Sequence, residues 1–308
     1  MPREAGREAL DRCVPLGSGG SRLLRGNHSE HQMLETKAAD FFTAQAALFL
    51  GGGFQALPAQ GDLVLHDALI HASAHEGMRL GRADIRAFAH NDVGAARVTL
   101  EEWRSSGEVG QVWIAVESVY SMEGDRSPLS DLAALAGSAD AVLVVDEAHA
   151  TGVFGEHGSE LARGLDEEIL TLHTCGKSLG VSWGLICGPR VVIDALVNRP
   201  PFIFATAPSP FEAAMVRALL RALKSDPNLQ IEAPERMAHA HREARRHCGL
   251  HRFVSQIMPV ILRSDEKTMA KAAALQSMGF DMRGIRPPSV ARGTPCLSDF
   301  HHRQCRQE

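Results

Sequence analysis

Two residues set the first question about chemistry. Asp146 closes the apolar run in VLVVDEAHATG (142–152), and Lys177 follows 31 residues later in TLHTCGKSLG. An acid ending a buried strand suits two chemistries. In a nucleotide-driven enzyme it holds magnesium, and a G-x-x-x-x-G-K-[ST] loop must precede it to cradle the phosphates. Here Gly176, Lys177 and Ser178 come after the acid, and Thr171 stands where the first glycine belongs, so that chemistry fails on order and spacing. In a pyridoxal 5'-phosphate (PLP) enzyme the lysine amine forms a Schiff base with the cofactor aldehyde, while the acid keeps the pyridine nitrogen protonated. Lys177 and Asp146 supply both parts. Taken singly, an ordinary acid at a loop start and a solvated lysine explain them better.

The surrounding pattern says what must position this pair. VWIAVES (112–118) and AVLVVDE (141–147) are β-branched runs of buried-strand type, and SPLSDLAALAG between them reads as a helix opened by Ser130 or Asp131 and closed by Gly137. Strand, helix and strand in that order make a parallel crossover. DLVLHD and DIRAFAH read as further strands, AALFLGGGF as a short apolar run broken by glycines, and HSEHQMLETKAADFF (28–42) as a helix. An amphipathic helix over 209–228 stops at Asp226-Pro227 and marks a domain edge. Beyond it QIMPVILRSD, KTMAKAAALQSMGF and DMRGIRPP give a strand, a helix and a strand. The division is an N-terminal segment (1–40), a large domain (41–225) and a small C-terminal domain (226–308).

Bulk properties narrow the class. The 308 residues are 44% hydrophobic and 22% charged, with a formal net charge of -5, which is globular composition without the basic footprint of a nucleic-acid binder. Six scattered cysteines with no C-x-x-C pair predict reduced thiols. No apolar run approaches a membrane span and no leader is read, so a cytoplasmic protein without membrane contact is expected. The histidines of MAHAHREARRHCGLHR (His239, His241, His247, His251) lack ligand spacing; a solvated basic helix is expected there, and no metal site. His28 and His31 flank the first helix and are assigned to solvent.

Seven motifs then occur in order: GSGGSRLLRGNHSEHQMLE, GGGF, LIHASAHEGMRLGRADIRAFAHND, ESVYSMEGDRSPL, DEAHATGVFGEHG, TLHTCGKSLG and GIRPPSVARGTP. Over residues 17 to 295 the chain resembles the α-oxoamine synthases. That resemblance implies the PLP-dependent transferase fold type I, an α/β fold with a large mostly parallel-sheet domain and a smaller α+β domain, and a homodimer with sites at the subunit boundary. Within the family it lies nearest the acyltransferases of biotin biosynthesis, which join L-alanine to a pimeloyl thioester with loss of carbon dioxide.

By the same resemblance Lys177 is the Schiff-base lysine, Asp146 the partner of the pyridine nitrogen, and His71 the ring that stacks on the cofactor. His149 and Ser121 match groups near its phenolic oxygen. Gly52, Gly53 and Phe54 match the phosphate site, which glycines and a helix start also favour physically. Thr174 matches a phosphate contact, and Thr206 one made to the other subunit's phosphate. Without the motifs, His71 is a half-buried strand-end histidine, His149 a loop cap, and the glycines a turn.

Three features depart from the family. Only 16 residues precede GSGGS. The stretch after GGGF leaves room for a helix shorter by about two turns, on the order of seven residues. The sequence from Cys296 shows neither strand alternation nor a helical apolar face, so the expected arginine strand that clamps the substrate carboxylate is missing and an unpaired edge is expected in the small domain. These features predict a truncated chain and keep two alternatives open: a catalytically impaired PLP-binding homologue, and a related synthase with another amino acid or acyl thioester.

Overall fold

The computed structural model describes residues 1–51, 58–165, 169–250 and 253–299. These fall into two compact units, Met1–Ser118 with Ser127–Pro234, and Val119–Arg126 with the chain from Glu235 onward.

The first unit is α/β. In chain order it holds α1 (Pro2–Asp11), α2 (Ser29–Phe41), β1 (Ala46–Leu50), β2 (Leu63–Asp67), α3 (Ala72–Arg79), β3 (Asp84–Phe88), α4 (Val93–Ser105), β4 (Val112–Glu117), α5 (Leu129–Ser138), β5 (Ala141–Asp146), β6 (Leu170–Thr174), β7 (Gly184–Gly188), α6 (Arg190–Val197), α7 (Pro200–Ile203) and α8 (Pro210–Ser225). The strands form one sheet in the order β1-β7-β6-β5-β4-β2-β3. Only β7 runs against its neighbours.

The period-2 pattern of the strands decides which helices cover which face. Val112, Ile114 and Val116 of β4 join Leu143 and Val145 of β5 under Leu100 and Trp103 of α4 and Leu132 and Leu135 of α5. Trp113 and Ala115 point the other way, with Val144, Leu172 and Ile186, toward Ala74 and Met78 of α3 and Ile193 and Leu196 of α6. A third cluster packs Leu34 and Ala38 of α2 and Val216, Leu219 and Leu220 of α8 on Phe49 and Leu185. Inside it Arg217 of α8 donates to Glu30 of α2 at 2.6 Å, and Arg12 reaches the same carboxylate. Central strands buried on both faces are what crossover helices require.

The second unit contains α9 (Pro227–Cys248, whose first eight residues belong to the first unit), β8 (Val260–Ile261), α10 (Asp265–Ser277), β9 (Met282–Ile285) and β10 (Cys296–Asp299). Its sheet has the order β8-β10-β9, antiparallel throughout. The excursion 119–126 belongs to it: Ser255 Oγ donates to Gly124 O at 2.6 Å and Arg126 Nη2 to Val254 O at 2.9 Å. A Cβ on Gly124 would lie 2.3 Å from Ile257 O.

Three expectations are corrected. The sequence from Cys296 does form a strand, and β10 is the central one, because pairing on both sides and burial of Cys296 and Leu297 outweigh weak local pattern. His31 is fully buried rather than solvated: as the third residue of α2 its Nδ1 accepts from His28 N–H at 3.1 Å, and its Nε2 lies 2.8 Å from Pro208 O. Burial pushes its imidazolium below the ordinary histidine value. Finally, α5 starts at Leu129 and runs through Gly137 to Ser138.

Candidate active site

Parallel strands end on one side of the sheet, and a crevice outside their carboxyl ends is where α/β folds place ligands. Here Asp67, Glu117, Asp146 and Thr174 are the last residues of β2, β4, β5 and β6. Glu117 and Asp146 are register partners.

Lys177 follows β6 on a tight turn held by Val181 N–H donating to Cys175 O at 2.8 Å, with Gly180 at φ +64. Its Nζ lies 2.7 Å from His149 Nε2. Burial lowers the ammonium below the ordinary lysine value, and the charges of Asp146 and Glu117 pull it partly back. An amine made easier to deprotonate is what a nucleophilic or proton-accepting lysine needs.

Asp146 is half-buried, and its Oδ1 accepts from Ala148 N–H at 2.9 Å, which turns the chain toward His149. His71 caps α3: its Nδ1 accepts from Ser73 N–H at 3.2 Å and lies 2.7 Å from Ser73 Oγ. An Nδ1 that accepts puts the proton of the neutral ring on Nε2. Burial lowers the pKa of His71, the Lys177 charge lowers it further, and Asp146 opposes both. Lys177, His149, Asp146 and His71 therefore form one electrostatic neighbourhood.

The other expected residues divide differently. Thr174 ends β6 three residues before Lys177 and is half-buried. Thr206 is exposed, bridges Ser21, and lines a recess of about 240 Å³ with Arg22, Phe49, Trp183 and Phe202, whose walls include none of the four residues above. Ser121 is buried in the excursion that belongs to the second unit. Gly52, Gly53 and Phe54 lie outside the described residues.

Two buried carboxylates under these groups carry no role in the sequence reading. Asp67 is fully buried and accepts from Leu69 N–H and Asn91 N–H, each at 2.8 Å, with His90 Nδ1 at 2.9 Å. Burial would raise its carboxyl, but these donors and the His90 charge outweigh it and hold it below the ordinary value. Glu147 is also fully buried. Its Oε2 accepts from Ser118 Oγ at 2.6 Å and its Oε1 from Leu161 N–H at 3.1 Å and Ala162 N–H at 2.8 Å. Burial pushes it up to about 7, with Glu160 adding and Ser118, His173 and Leu161 N–H opposing. His173 stacks on Phe42 at 3.6 Å, with Thr151 Oγ1 2.8 Å from Nδ1 and Thr171 Oγ1 2.8 Å from Nε2. The usable signal is an acid one residue beyond an apolar run, in VLHD for Asp67 and in VVDE for Glu147.

The donor set fits PLP. An amine with a weakened hold on its proton suits the aldehyde, a strand-end carboxylate suits the ring nitrogen, and an imidazole held neutral suits the ring face.

Comparison with known proteins points the same way. The family described as aminotransferase class I and II matches residues 2–297. The 8-amino-7-oxononanoate synthase of Methylobacterium nodulans is 37% identical over 301 residues, covering 95% of this chain and 76% of that protein. Among solved structures, the serine palmitoyltransferase of Sphingomonas wittichii superposes with a TM-score of 0.88 at 28% identity, over 98% of this chain and 78% of that one. A serine palmitoyltransferase with PLP as its internal aldimine gives 0.87 at 29%, over 96% and 77%. Among the described residues no helix is long and apolar enough to cross a membrane.

Proposed function

The chain belongs to the aminotransferase class I and II family, and from that premise we propose that it is an 8-amino-7-oxononanoate synthase. It condenses L-alanine with a pimeloyl thioester, as the CoA or carrier-protein ester, to 8-amino-7-oxononanoate, carbon dioxide and the free thiol in biotin synthesis. The observation that carries the reading is the half-buried amine of Lys177 held 2.7 Å from His149 Nε2 beside Asp146. The identity to a protein of that name supports the choice of substrates.

PLP is its cofactor, and when bound it supplies an aldehyde for the amine and a ring that takes up the electron pair left at the substrate α-carbon. Lys177 Nζ would take the α-proton of the amino acid, because burial favours its neutral form. His149 Nε2 holds that amine in place by hydrogen bonding. Asp146 would partner the ring nitrogen, and His71, fixed by its cap, would present a flat ring to the cofactor. The phosphate falls to Gly52, Gly53, Phe54 and Thr174, and in a homodimer to Thr206 of the other copy.

A second reading comes from the serine palmitoyltransferase superpositions: the same machinery on another amino acid, serine first. The test is a visible spectrum of the purified chain with PLP, before and after L-alanine, L-serine or glycine, with Lys177→Ala as control. A Lys177-dependent band that shifts with alanine supports the synthase, and a shift with serine alone supports the second reading. A band indifferent to all three leaves a cofactor binder and sinks both.

A further inference from the structure

The loop from Glu147 to Ala162 carries His149 and has only a three-residue 3-10 turn, Glu156–Gly158, as regular structure of its own. Inside it Gly152 N–H donates to Gly158 O at 2.7 Å, and one side chain joins its two ends. Glu147 Oε1 accepts the two consecutive backbone N–H groups of Leu161 and Ala162 at the far end of the loop, while Oε2 accepts from Ser118 at the end of β4. The backbone of Glu147 does the rest. Its N–H donates to Leu172 O on β6 at 2.8 Å, and its carbonyl accepts from Thr151 N–H and from Thr151 Oγ1, both at 2.9 Å. Thr151 O in turn accepts from Ser178 Oγ, next to Lys177. His149 therefore sits inside a turn whose two ends meet at Glu147, and Lys177 is tied to the same turn through Ser178.

We propose that Glu147 is a positioning residue for the reaction: by closing the 147–162 loop onto Ser118 it sets His149 Nε2 against Lys177 Nζ. This rests on reading Lys177 as the working amine. Glu147 touches neither reacting group, so its effect passes through His149. The groups facing its carboxylate are Ser118 from the end of β4, the loop amides, Glu160 within the loop and His173 from β6.

The decisive quantity is the pH midpoint at which Lys177 becomes reactive toward trinitrobenzenesulfonate in the full chain without PLP, read on the Lys177 peptide by mass spectrometry. Glu147→Ala releases the loop and withdraws the His149 ring that covers the amine, so water reaches Nζ and relaxes the desolvation that depresses it. The midpoint then rises by about one unit, a roughly tenfold loss of neutral amine at any fixed pH below it. Glu147→Gln keeps an oxygen for the two loop amides and an NH₂ for Ser118 Oγ, so it stays within about 0.3 units of the parent. Ser118→Ala, the variant to use where Glu147→Ala does not fold, moves the midpoint in the same direction by less. In a His149→Ala background, Glu147→Ala adds nothing. An unmoved midpoint in both Glu147→Ala and Ser118→Ala, or an equal shift with and without His149, overturns the proposal. A parent chain that shows no PLP band defeats the cofactor reading instead, and the Lys177 midpoint still judges Glu147.

Discussion

The loops that deliver the two imidazoles solve one mechanical problem with opposite electrostatics. His71 ends a four-residue link after β2, and Asp67 anchors that link by accepting two backbone N–H groups and facing His90. His149 sits in a longer loop after β5, and Glu147 anchors it by accepting two backbone N–H groups and a hydroxyl. Both carboxylates are fully buried. For Asp67 burial is outweighed by the hydrogen bonds from His90, Asn91 and Leu69, so its ionised form is favoured; for Glu147 burial outweighs Ser118 and His173 and, with Glu160 adding, pushes the carboxyl up to about 7. Equal donor counts do not fix a charge state. The balance between desolvation and the donors does.

The largest consequence falls on the Asp67 side. Asp67→Ala leaves two buried N–H groups without an acceptor and is expected to cost about 3–5 kcal/mol in denaturant unfolding at neutral pH. A cost below about 1 kcal/mol breaks the comparison, since the anchor then carries no strain.

The next test sets the two signs against each other. Glu147 folded keeps a proton that the unfolded chain loses between about 4.3 and 7, so stability falls as pH rises through that window and is flat above it. Asp67 folded sheds its proton earlier than the unfolded chain, so its contribution is full above about 4 and is lost as pH falls through its lowered pKa. Glu147→Gln should therefore gain about 2–3 kcal/mol on the parent between pH 5 and pH 8. Thermal unfolding across that range reads it directly, and parallel curves for parent and variant would mean that Glu147 is ionised throughout.

The smallest effect sharpens the account of Asp67. His90→Ala removes the one charged partner and keeps both backbone donors, for a loss of about 1–2 kcal/mol at pH 7. A loss as large as that of Asp67→Ala would make the ion pair, not the loop amides, the anchor.

Residue pattern reached the strands because central parallel strands are apolar on both faces, and VWIAVES and AVLVVDE leave no other reading. It offered Lys177, Asp146, His71 and His149 as candidates because ordered motifs carry them, and the fold brings these four together. It did not reach the depth of a polar side chain. His31, Asp67 and Glu147 look like surface residues in sequence, and they are buried because distant segments bring donors and acceptors to them: Pro208 for His31, Asn91 for Asp67, Leu161 and Ala162 for Glu147. Helix ends failed for a related reason. Ser130 and Asp131 are good caps by type, yet α5 begins at Leu129, where that side chain enters the core. β10 was missed because Cys296 and Leu297 draw their pairing from strands on either side.

The excursion 119–126 makes the second unit discontinuous in sequence. Ser127 N–H donates to Ser118 O at 3.2 Å, so the chain leaves and re-enters the first unit at one point. A ribosome therefore delivers Gly124 and Arg126 well before Val254 and Ser255, the groups that complete them, and the excursion must wait uncovered for the rest of its unit. A gene fragment ending at Pro234 carries a piece it cannot pack, and one starting at Glu235 lacks that piece. The second unit cannot be exchanged between relatives as a single cassette; both segments have to travel together.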